Sequence, residues 1–367
     1  MMYSLDEIGL IPSEISTIEH RGDINPFVQS PFGGEKLPIF VAPMTCILSA
    51  NNICEFSRSQ VEPILPVCCA EVEERIQLPK GSDWQGWTAM TLDEFIHYFC
   101  GCNIAEGPKY HILIDVANGH MEKLFKAVKD AKQEFGDRLI VMVGNIANPR
   151  TYLDCCLCGV DYVRIGIGGG SGCTTSVQTG IHASIPWILK GIAKIKGGEY
   201  YVPIERDGIM VPKPCLFNEY IAEHKGVITK VVADGGINTI AKAIKCLALG
   251  ADYVMMGKCF AECEEGTTHD TWYKDPTGKG LIIAPHHLYY GQSSEEGQKD
   301  RFGKVKSNPE GLSKWILVTT NLSEFCGKFE AALRSAMSYC NARTLNDFIG
   351  KVQYETMTHS EFDAYIK

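Results

Sequence analysis

The stretch Tyr162-Val163-Arg164-Ile165-Gly166-Ile167-Gly168-Gly169-Gly170-Ser171-Gly172-Cys173-Thr174-Thr175 joins a short apolar run to a loop of nearly bare backbone. Glycines let a ligand approach main-chain N–H groups and allow dihedral angles that other residues avoid. Because the loop follows a predicted strand, it should lie at the strand's carboxyl end, where parallel α/β enzymes carry their chemistry. Although most cysteines are small buried hydrophobes, Cys173 in this setting is predicted to be an exposed nucleophile.

Similar apolar runs recur along the chain and alternate with helical patterns. The eight runs cover residues 37–43, 64–69, 84–90, 110–116, 139–146, 162–167, 227–233 and 253–257. Most are unbroken, as expected of strands that are buried on both faces. Amphipathic helices are predicted at 121–135 and 237–250. The pattern predicts an α/β fold of the (β/α)8 TIM-barrel type, forming a single domain over residues 1–367. A doubly wound sheet is the alternative.

Composition sets the class of protein. The chain has 367 residues, of which 45% are hydrophobic and 22% charged, as in soluble globular proteins. It has no apolar run of about 18 residues and no signal-peptide pattern, so we expect a cytoplasmic protein without a membrane partner. The 16 cysteines are then expected to be reduced thiols. A net charge of −9 argues against general nucleic-acid binding.

Two segments are predicted to decorate the barrel. Residues 197–214 read as a hairpin that turns at Asp207-Gly208, and residues 267–287 contain a second turn at 275–278. Both follow strand ends, so either could reach the active-site face. Surface excursions or oligomer contacts are equally compatible with these patterns.

Polar residues and glycines end several other predicted strands. Asp234-Gly235-Gly236 could hold a ribose diol and a phosphate, and Gly257-Lys258 ends the next strand. Asp115 and Gly144-Asn145 end two earlier strands, and Asp115 could bind a cofactor. Each also has a plainer interpretation as a turn or a helix cap. Glu295 could be a general acid or base, or simply a solvated carboxylate.

Metal-binding patterns are weak. Cys155 and Cys158 have a C-x-x-C spacing on a predicted helix, but no second pair follows at zinc-site distance. His286-His287 lacks an H-E-x-x-H context and is predicted to be structural.

Taken together, the motifs resemble the IMP dehydrogenase/GMP reductase family from about residue 37 to 348. The resemblance is strongest from Gly144-Asn145 through the cysteine loop to Thr179-Gly180, and it continues through the segments at 233–237, 248–257 and 333–337. It implies a (β/α)8 barrel, commonly a homotetramer. It also implies a covalent bond between the loop cysteine and C2 of a purine mononucleotide, coupled to hydride exchange with a nicotinamide.

The resemblance assigns roles by position. Cys173 is the expected nucleophile, and Thr175, Glu295 and Arg301 complete the catalytic candidates. The substrate candidates are Ser171, Asp234, Gly235, Gly236, Gly257, Lys258, Gln292 and Ser293. The cofactor candidates are Asp115, Asn118, Gly119, Asn145, Gly166 and Gly168. The carbonyls of Gly168, Gly170 and Cys173 match a monovalent-cation site, so potassium is a possible ligand.

The two branches of the family differ in direction, and this chain has features of both. The segments 115–119 and 293–295 resemble the reductase, and the chain has no regulatory insertion of paired cystathionine-synthase-type modules. Asp300-Arg301-Phe302 resembles the dehydrogenase's Asp-Arg-Tyr. The reductase's lysine has no match at residues 68–71, Gln292 replaces a methionine, and Gly169 replaces a proline.

Our hypothesis is the reductive deamination of GMP to IMP and ammonia with NADPH. The alternatives are an IMP dehydrogenase that uses NAD and a catalytically silent nucleotide-binding protein. The sequence alone does not separate these three.

Overall fold

A closed barrel of eight parallel strands forms the centre of the molecule. The computed structural model describes residues 3–67, 75, 86–101, 108–170, 172–206, 209–266, 273–274, 281–282, 285–306, 308–309, 311–358 and 361. In barrel order, the strands are β4 (Ile39–Val41), β5 (Glu62–Leu65), β6 (Trp87–Met90), β7 (Tyr110–Asp115), β8 (Leu139–Ile146), β9 (Tyr162–Ile165), β12 (Lys230–Asp234) and β13 (Tyr253–Met256). Strand β13 pairs with β4 and closes the barrel.

All eight predicted runs supply barrel strands, so the TIM-barrel prediction is confirmed and the doubly wound alternative is wrong. The run at 227–233 is displaced in the structure, because its strand starts at Lys230 and ends at Asp234. Val227 and Ile228 are exposed instead of paired.

Helices surround the barrel. They are α1 (Ile53–Arg58), α2 (Leu92–Phe99), α3 (Glu122–Phe135), α4 (Thr151–Cys158), α5 (Thr175–Thr179), α6 (Ile185–Lys196), α7 (Phe217–Glu223), α8 (Ile240–Ala248), α9 (Lys258–Ala261), α10 (Glu295–Phe302), α11 (Leu322–Tyr339) and α12 (Leu345–Phe348). The predicted helix at 121–135 matches α3, while α8 is shorter at both ends than predicted. Thr239 caps α8 by accepting a hydrogen bond from Lys242 N.

Aromatic side chains fill the amino-terminal end of the barrel interior. Trp87, Tyr162 and Tyr253 are the first residues of their strands, and they pack around Phe40. The ring centroids of Trp87 and Tyr162 lie 5.2 Å apart in an edge-to-face arrangement, which aromatic quadrupoles favour. This end is therefore closed, and the open space lies at the carboxyl ends of the strands.

Short antiparallel pairs decorate the barrel. They are β1 (Ile8–Leu10) with β18 (Tyr354–Thr356), β2 (Val28–Gln29) with β3 (Glu35–Lys36), β10 (Tyr200–Arg206) with β11 (Ile209–Cys215), β14 (Tyr273–Lys274) with β15 (Leu281–Ile282), and β16 (His286–Tyr289) with β17 (Lys314–Leu317).

The β10–β11 pair confirms the predicted hairpin, although its turn at 207–208 lies outside the described residues, as does the turn predicted at 275–278. Tyr200 anchors the hairpin on helix α7, with its ring centroid 5.6 Å from Phe217 and 4.7 Å from Tyr220. In the described part of the chain, no residue of the hairpin reaches the barrel mouth.

The described helices include none with the length and apolarity needed to cross a membrane. The cysteines that the structure describes are all free thiols. Cys155, on α4, is completely buried, and its burial raises its pKa well above the ordinary value. Within the described ranges, no group of three His, Cys, Asp or Glu side chains could hold a metal ion.

Candidate functional site

A cavity of about 660 Å³ opens at the carboxyl ends of the barrel strands. Its wall is mostly glycine backbone from the cysteine loop and from residues 234–236, and its floor is polar. This volume lies within the range of small-molecule sites. Residues from the carboxyl ends of several barrel strands, Asp115 and Asp234 among them, therefore share one cavity.

Cys173 stands at the cavity with its thiol exposed. Its Sγ donates a hydrogen bond to Thr175 Oγ1 at 3.2 Å. Among the cysteines that the structure describes, it is the one classed as exposed, whereas burial raises the pKa of the Cys46 thiol to about 12. Among the described cysteines, Cys173 is thus the thiol best placed to attack a ligand in the cavity.

The cysteine loop is held from both sides. On one side, Ser176 Oγ donates to Gly168 O at 3.2 Å. On the other, Leu312 N donates to Gly172 O at 2.8 Å, and a Cβ on Gly172 would lie 3.1 Å from Leu312 O. Glycine at 172 therefore allows the strand-like approach of residues 311–312 to the loop.

Gly166 permits a second close approach. Its φ is +121°, and a Cβ there would collide with Asp234 O. The end of β9 can therefore lie directly against the end of β12, because this position has no side chain.

Arg164 links the two acids of the cavity floor. Its Nη1 lies 2.7 Å from Asp115 Oδ1, and its Nη2 lies 2.8 Å from Asp234 Oδ2. Asn145 Nδ2 also donates to Asp234 Oδ2, at 2.8 Å. Gln292 Nε2 donates to Asp115 Oδ2 at 2.6 Å. These five side chains form a continuous hydrogen-bonded chain across the floor.

The electrostatics of Arg164 follow from this arrangement. Its side chain is only 9% exposed, and burial alone would lower its pKa. The carboxylates of Asp234 and Asp115 outweigh burial, so the pKa of Arg164 is raised above its ordinary value. The guanidinium remains charged, and the floor carries two carboxylates against one cation.

Most of the predicted site residues line this cavity. Those that do are Asp115, Asn145, Gly166, Gly168, Gly170, Cys173, Thr175, Asp234, Gly235, Gly236, Gly257, Lys258, Gln292, Ser293 and Arg301. Ser171 lies outside the described residues, as do residues 68–71, where the reductase's lysine was sought.

Three predicted site residues lie elsewhere. Glu295 lies outside the cavity wall, and its carboxylate is 2.6 Å from Lys299 Nζ, with both side chains 55% exposed. Asn118 uses Oδ1 to accept from His120 N. Gly119 N donates a hydrogen bond to Asn145 O at 2.8 Å, so Gly119 supports the end of strand β8 from outside the cavity.

Arg301 reaches the cavity because helix α10 is tied to the barrel. Asp300 Oδ2 accepts hydrogen bonds from Thr45 Oγ1 at 2.8 Å and from Tyr290 Oη at 2.6 Å. Ser294 caps the helix by accepting from Gly297 N. Phe302, the neighbour of Arg301, also lines the cavity.

Sequence reasoning assigned no function to Arg164 or Tyr289. A charged residue within the apolar run 162–165 was the available signal for Arg164, since a buried charge needs partners. Tyr289 is 5% exposed, and its Oη would lie 3.2 Å from a Cβ on Gly257. No local pattern distinguished Tyr289 from an ordinary core aromatic.

Comparisons with known proteins agree with this geometry. The family profile described as "IMP dehydrogenase / GMP reductase domain" matches residues 109–213 and 205–364. An inosine-5'-monophosphate dehydrogenase of Chlorobaculum parvum is 28% identical over 319 residues, covering 84% of this chain and 56% of the relative. Another from Chlorobaculum tepidum is 28% identical over 258 residues, covering 67% and 45%.

Relatives of the other branch are equally similar. A GMP reductase of Mesoplasma florum is 27% identical over 252 residues, covering 69% of this chain and 65% of the relative. The chain thus spans about half to two thirds of the length of the curated relatives it matches.

Proposed function

The chain belongs to the IMP dehydrogenase/GMP reductase family, and we propose that it catalyses the reductive deamination of GMP to IMP and ammonia with NADPH. The observation that carries this proposal is the exposed Cys173 thiol, 3.2 Å from Thr175 Oγ1, facing a floor of paired acids. The reductase-like segments 115–119 and 293–295 support this direction.

The floor and the glycine wall provide different places for the parts of a nucleotide. Among the described residues, no hydrogen-bond donor contacts Asp234 Oδ1, so this oxygen is available to a ribose hydroxyl. Gly236 and Gly257 offer backbone without side chains, and Tyr289 lies beside Gly257. We place the phosphate at this end, because closely approached backbone N–H groups bind anions.

The chemistry then runs through Cys173. Its thiolate forms a C–S bond to C2 of guanine, and the C2–N bond breaks to release ammonia, which takes up protons. The Thr175 hydroxyl relays a proton at the leaving amine. Bound NADPH supplies a hydride to C2. Loss of the C–S bond then returns the thiolate, so that one NADPH and two protons are consumed for each IMP and ammonium formed.

The residues present fit a nicotinamide beside the purine. Asp115 and Asn145 line the same cavity as Cys173, and Gly166 and Gly168 line it with backbone alone. Asn118 is exposed beyond this wall and would contact a more distant part of the cofactor. The barrel would hold the two rings face to face, which is an orientation effect.

Glu295 has a place in this proposal only if its carboxylate leaves Lys299. Thr175 is the proton-bearing side chain next to Cys173 among the residues that the structure describes. The proton path is therefore proposed to begin at Thr175.

One observation favours IMP dehydrogenase as a second candidate. Arg301 lines the cavity, and in that branch an arginine of the Asp-Arg-Tyr motif activates the hydrolytic water. In this alternative, hydride leaves C2 of the IMP adduct for NAD, and water then hydrolyses the C–S bond to give XMP.

Paired turnover assays decide between the candidates. Purified protein is incubated with GMP plus NADPH and, separately, with IMP plus NAD, while the nicotinamide absorbance is followed. We expect consumption of NADPH in the first assay, loss of activity in C173A, and retention in C340A, which removes a half-buried cysteine. XMP formation would favour the dehydrogenase. Nucleotide-dependent stabilisation without turnover in either assay would indicate a silent binding protein.

Three further predictions come from the resemblance alone. Light scattering after gel filtration tests the homotetramer, and fractionation of the source cells tests the cytoplasmic location. Assays in potassium against sodium test the cation. Gly168 and Gly170 already accept hydrogen bonds from Ser176 and Cys173 N, so a cation would use their second lone pairs.

A further inference from the structure

Gln292 follows strand β16, and its amide nitrogen has two partners. Nε2 lies 2.6 Å from Asp115 Oδ2 and 3.2 Å from Pro43 O. A carboxylate and a carbonyl oxygen only accept hydrogen bonds, so the NH₂ group of the amide must face both of them. The orientation of the amide is therefore fixed by its surroundings.

The other end of the amide is open. Gln292 lines the cavity and is half-buried. Among the residues that the structure describes, none donates a hydrogen bond to Oε1, and this atom is not one of the buried unpartnered atoms. Oε1 is thus a positioned acceptor without a partner among the described residues, on a side chain that lines the cavity.

This acceptor lies close to the nucleophile's loop. A Cβ on Gly172 would come within 4.0 Å of Gly291 N, so the residues before Cys173 and before Gln292 pack against each other. A purine with C2 at the Cys173 thiol therefore has the atoms next to C2 in the neighbourhood of Gln292. One of these atoms is N1.

We propose that Gln292 is a specificity-determining residue whose Oε1 accepts a hydrogen bond from N1–H of a 6-oxopurine nucleotide. This inference rests on the proposed function, because it places the purine C2 at Cys173. GMP and IMP carry a hydrogen on N1. AMP carries a lone pair there, which would face the amide oxygen and repel it.

Asp115 and Pro43 supply the discrimination indirectly. An unrestrained glutamine would rotate by 180° and offer its NH₂ to AMP. In this structure the rotation would turn Oε1 toward two acceptors, and it is therefore opposed. Because the amide orientation is fixed, Gln292 offers the base only its acceptor Oε1 and cannot exchange it for the donor Nε2.

Isothermal titration of IMP and AMP in the absence of cofactor tests the proposal. The proteins are the wild type, Q292M and the control Q133M, which alters an exposed glutamine of α3. Wild type and Q133M are expected to prefer IMP. Q292M keeps the length of the side chain but has no acceptor oxygen, so its IMP affinity should fall about tenfold and its IMP-to-AMP ratio should shrink similarly.

The outcomes are separable. An unchanged IMP-to-AMP ratio in Q292M overturns the proposal, as does an equal loss of both nucleotides. If Q292M binds IMP and AMP like the wild type but a separate titration shows weaker binding of NADPH, Oε1 meets that ligand instead, and the proposal is again wrong. A wild type that does not bind IMP, and does not bind GMP in a parallel titration, overturns the proposed function together with this inference.

A ligand-side measurement covers the case in which Q292M does not fold. Wild-type protein should bind N1-methyl-IMP at least about tenfold more weakly than IMP, since the methyl group removes the donor and occupies its place. Equal affinities would overturn the role of Oε1 even if GMP turnover had been established.

Discussion

Replacing Arg164 with methionine tests the most unusual electrostatic feature of the cavity. The guanidinium makes three contacts, at 2.7 Å to Asp115 and at 2.8 and 3.2 Å to Asp234, and these acids are 10% and 17% exposed. Removing one partner of a buried ion pair costs about 3–5 kcal/mol. Asn145 and Gln292 still donate to the acids, so we expect the lower value, about 3 kcal/mol.

This loss converts into a shift of the melting temperature. An unfolding entropy of about 2.1 cal/mol/K per residue gives about 0.8 kcal/mol/K for this chain, so R164M should melt about 4 °C lower. The pKa of Arg164 is raised in the folded state, so its stabilisation is present below the ordinary arginine pKa and is lost only in strong alkali. The wild type should therefore keep this contribution from pH 5 to 9.

Calorimetry at several pH values measures the deficit. In R164M the two carboxylates lack the cation that links them, so the deficit should be present throughout the range from pH 5 to 9. The control is K123M, which removes the exposed ion pair of Lys123 with Asp93 and should melt like the wild type. If R164M melts within 1 °C of the wild type at pH 7, or if K123M falls equally, the reasoning is refuted.

Three further predictions concern single positions. G166A should lose more than about 3 kcal/mol, because its methyl group would meet Asp234 O at a φ of +121°; a variant that melts within 2 °C of the wild type would contradict this. Burial lowers the pKa of His111 to about 4, so its stabilisation is complete above pH 6.5 and is lost as the pH falls from 6.5 to 4. Denaturant titrations of H111F should therefore show a flatter acid limb than the wild type, by up to about 3 kcal/mol. E295Q should keep its kcat within about threefold, because Glu295 pairs with Lys299 outside the cavity. A hundredfold loss of kcat would instead place Glu295 on the proton path. E310Q, which changes a second glutamate beside Gly311 in the sequence, is the variant whose kcat is compared with that of E295Q.

The barrel was predictable because most of its strands lie in largely apolar runs. Strands buried on both faces, such as β4, produce this pattern whatever their neighbours are. The end of a strand was harder to predict. Val227 and Ile228 were predicted to be strand residues but are exposed. The β-propensity of a residue does not indicate where the pairing of β12 with β9 and β13 begins.

The site was predictable where it consists of residues at strand ends, as with Asp115 and Asp234. The carboxyl ends of parallel strands converge on one rim, so position along the strand is sufficient. It was less predictable on α10, where the direction of each side chain decides its contacts. Arg301 and Glu295 lie on the same helix, yet of these two only Arg301 lines the cavity. The hydrogen bond from Tyr290 to Asp300 that fixes the helix has no signature in the local sequence.

The charge pattern of the cavity orients the ligand that the proposal requires. Two carboxylates and one guanidinium leave the floor with an excess of one negative charge, and the acids are mostly buried, where charge interactions are poorly screened. A phosphate over this floor would be repelled, whereas hydroxyl and amide donors would be attracted. Under the proposed function, the phosphate would therefore be directed to the glycine wall near Gly236 and Gly257, and the ribose and base would extend toward Cys173. Arg164 between two acids would then determine which end of the proposed nucleotide meets the thiol.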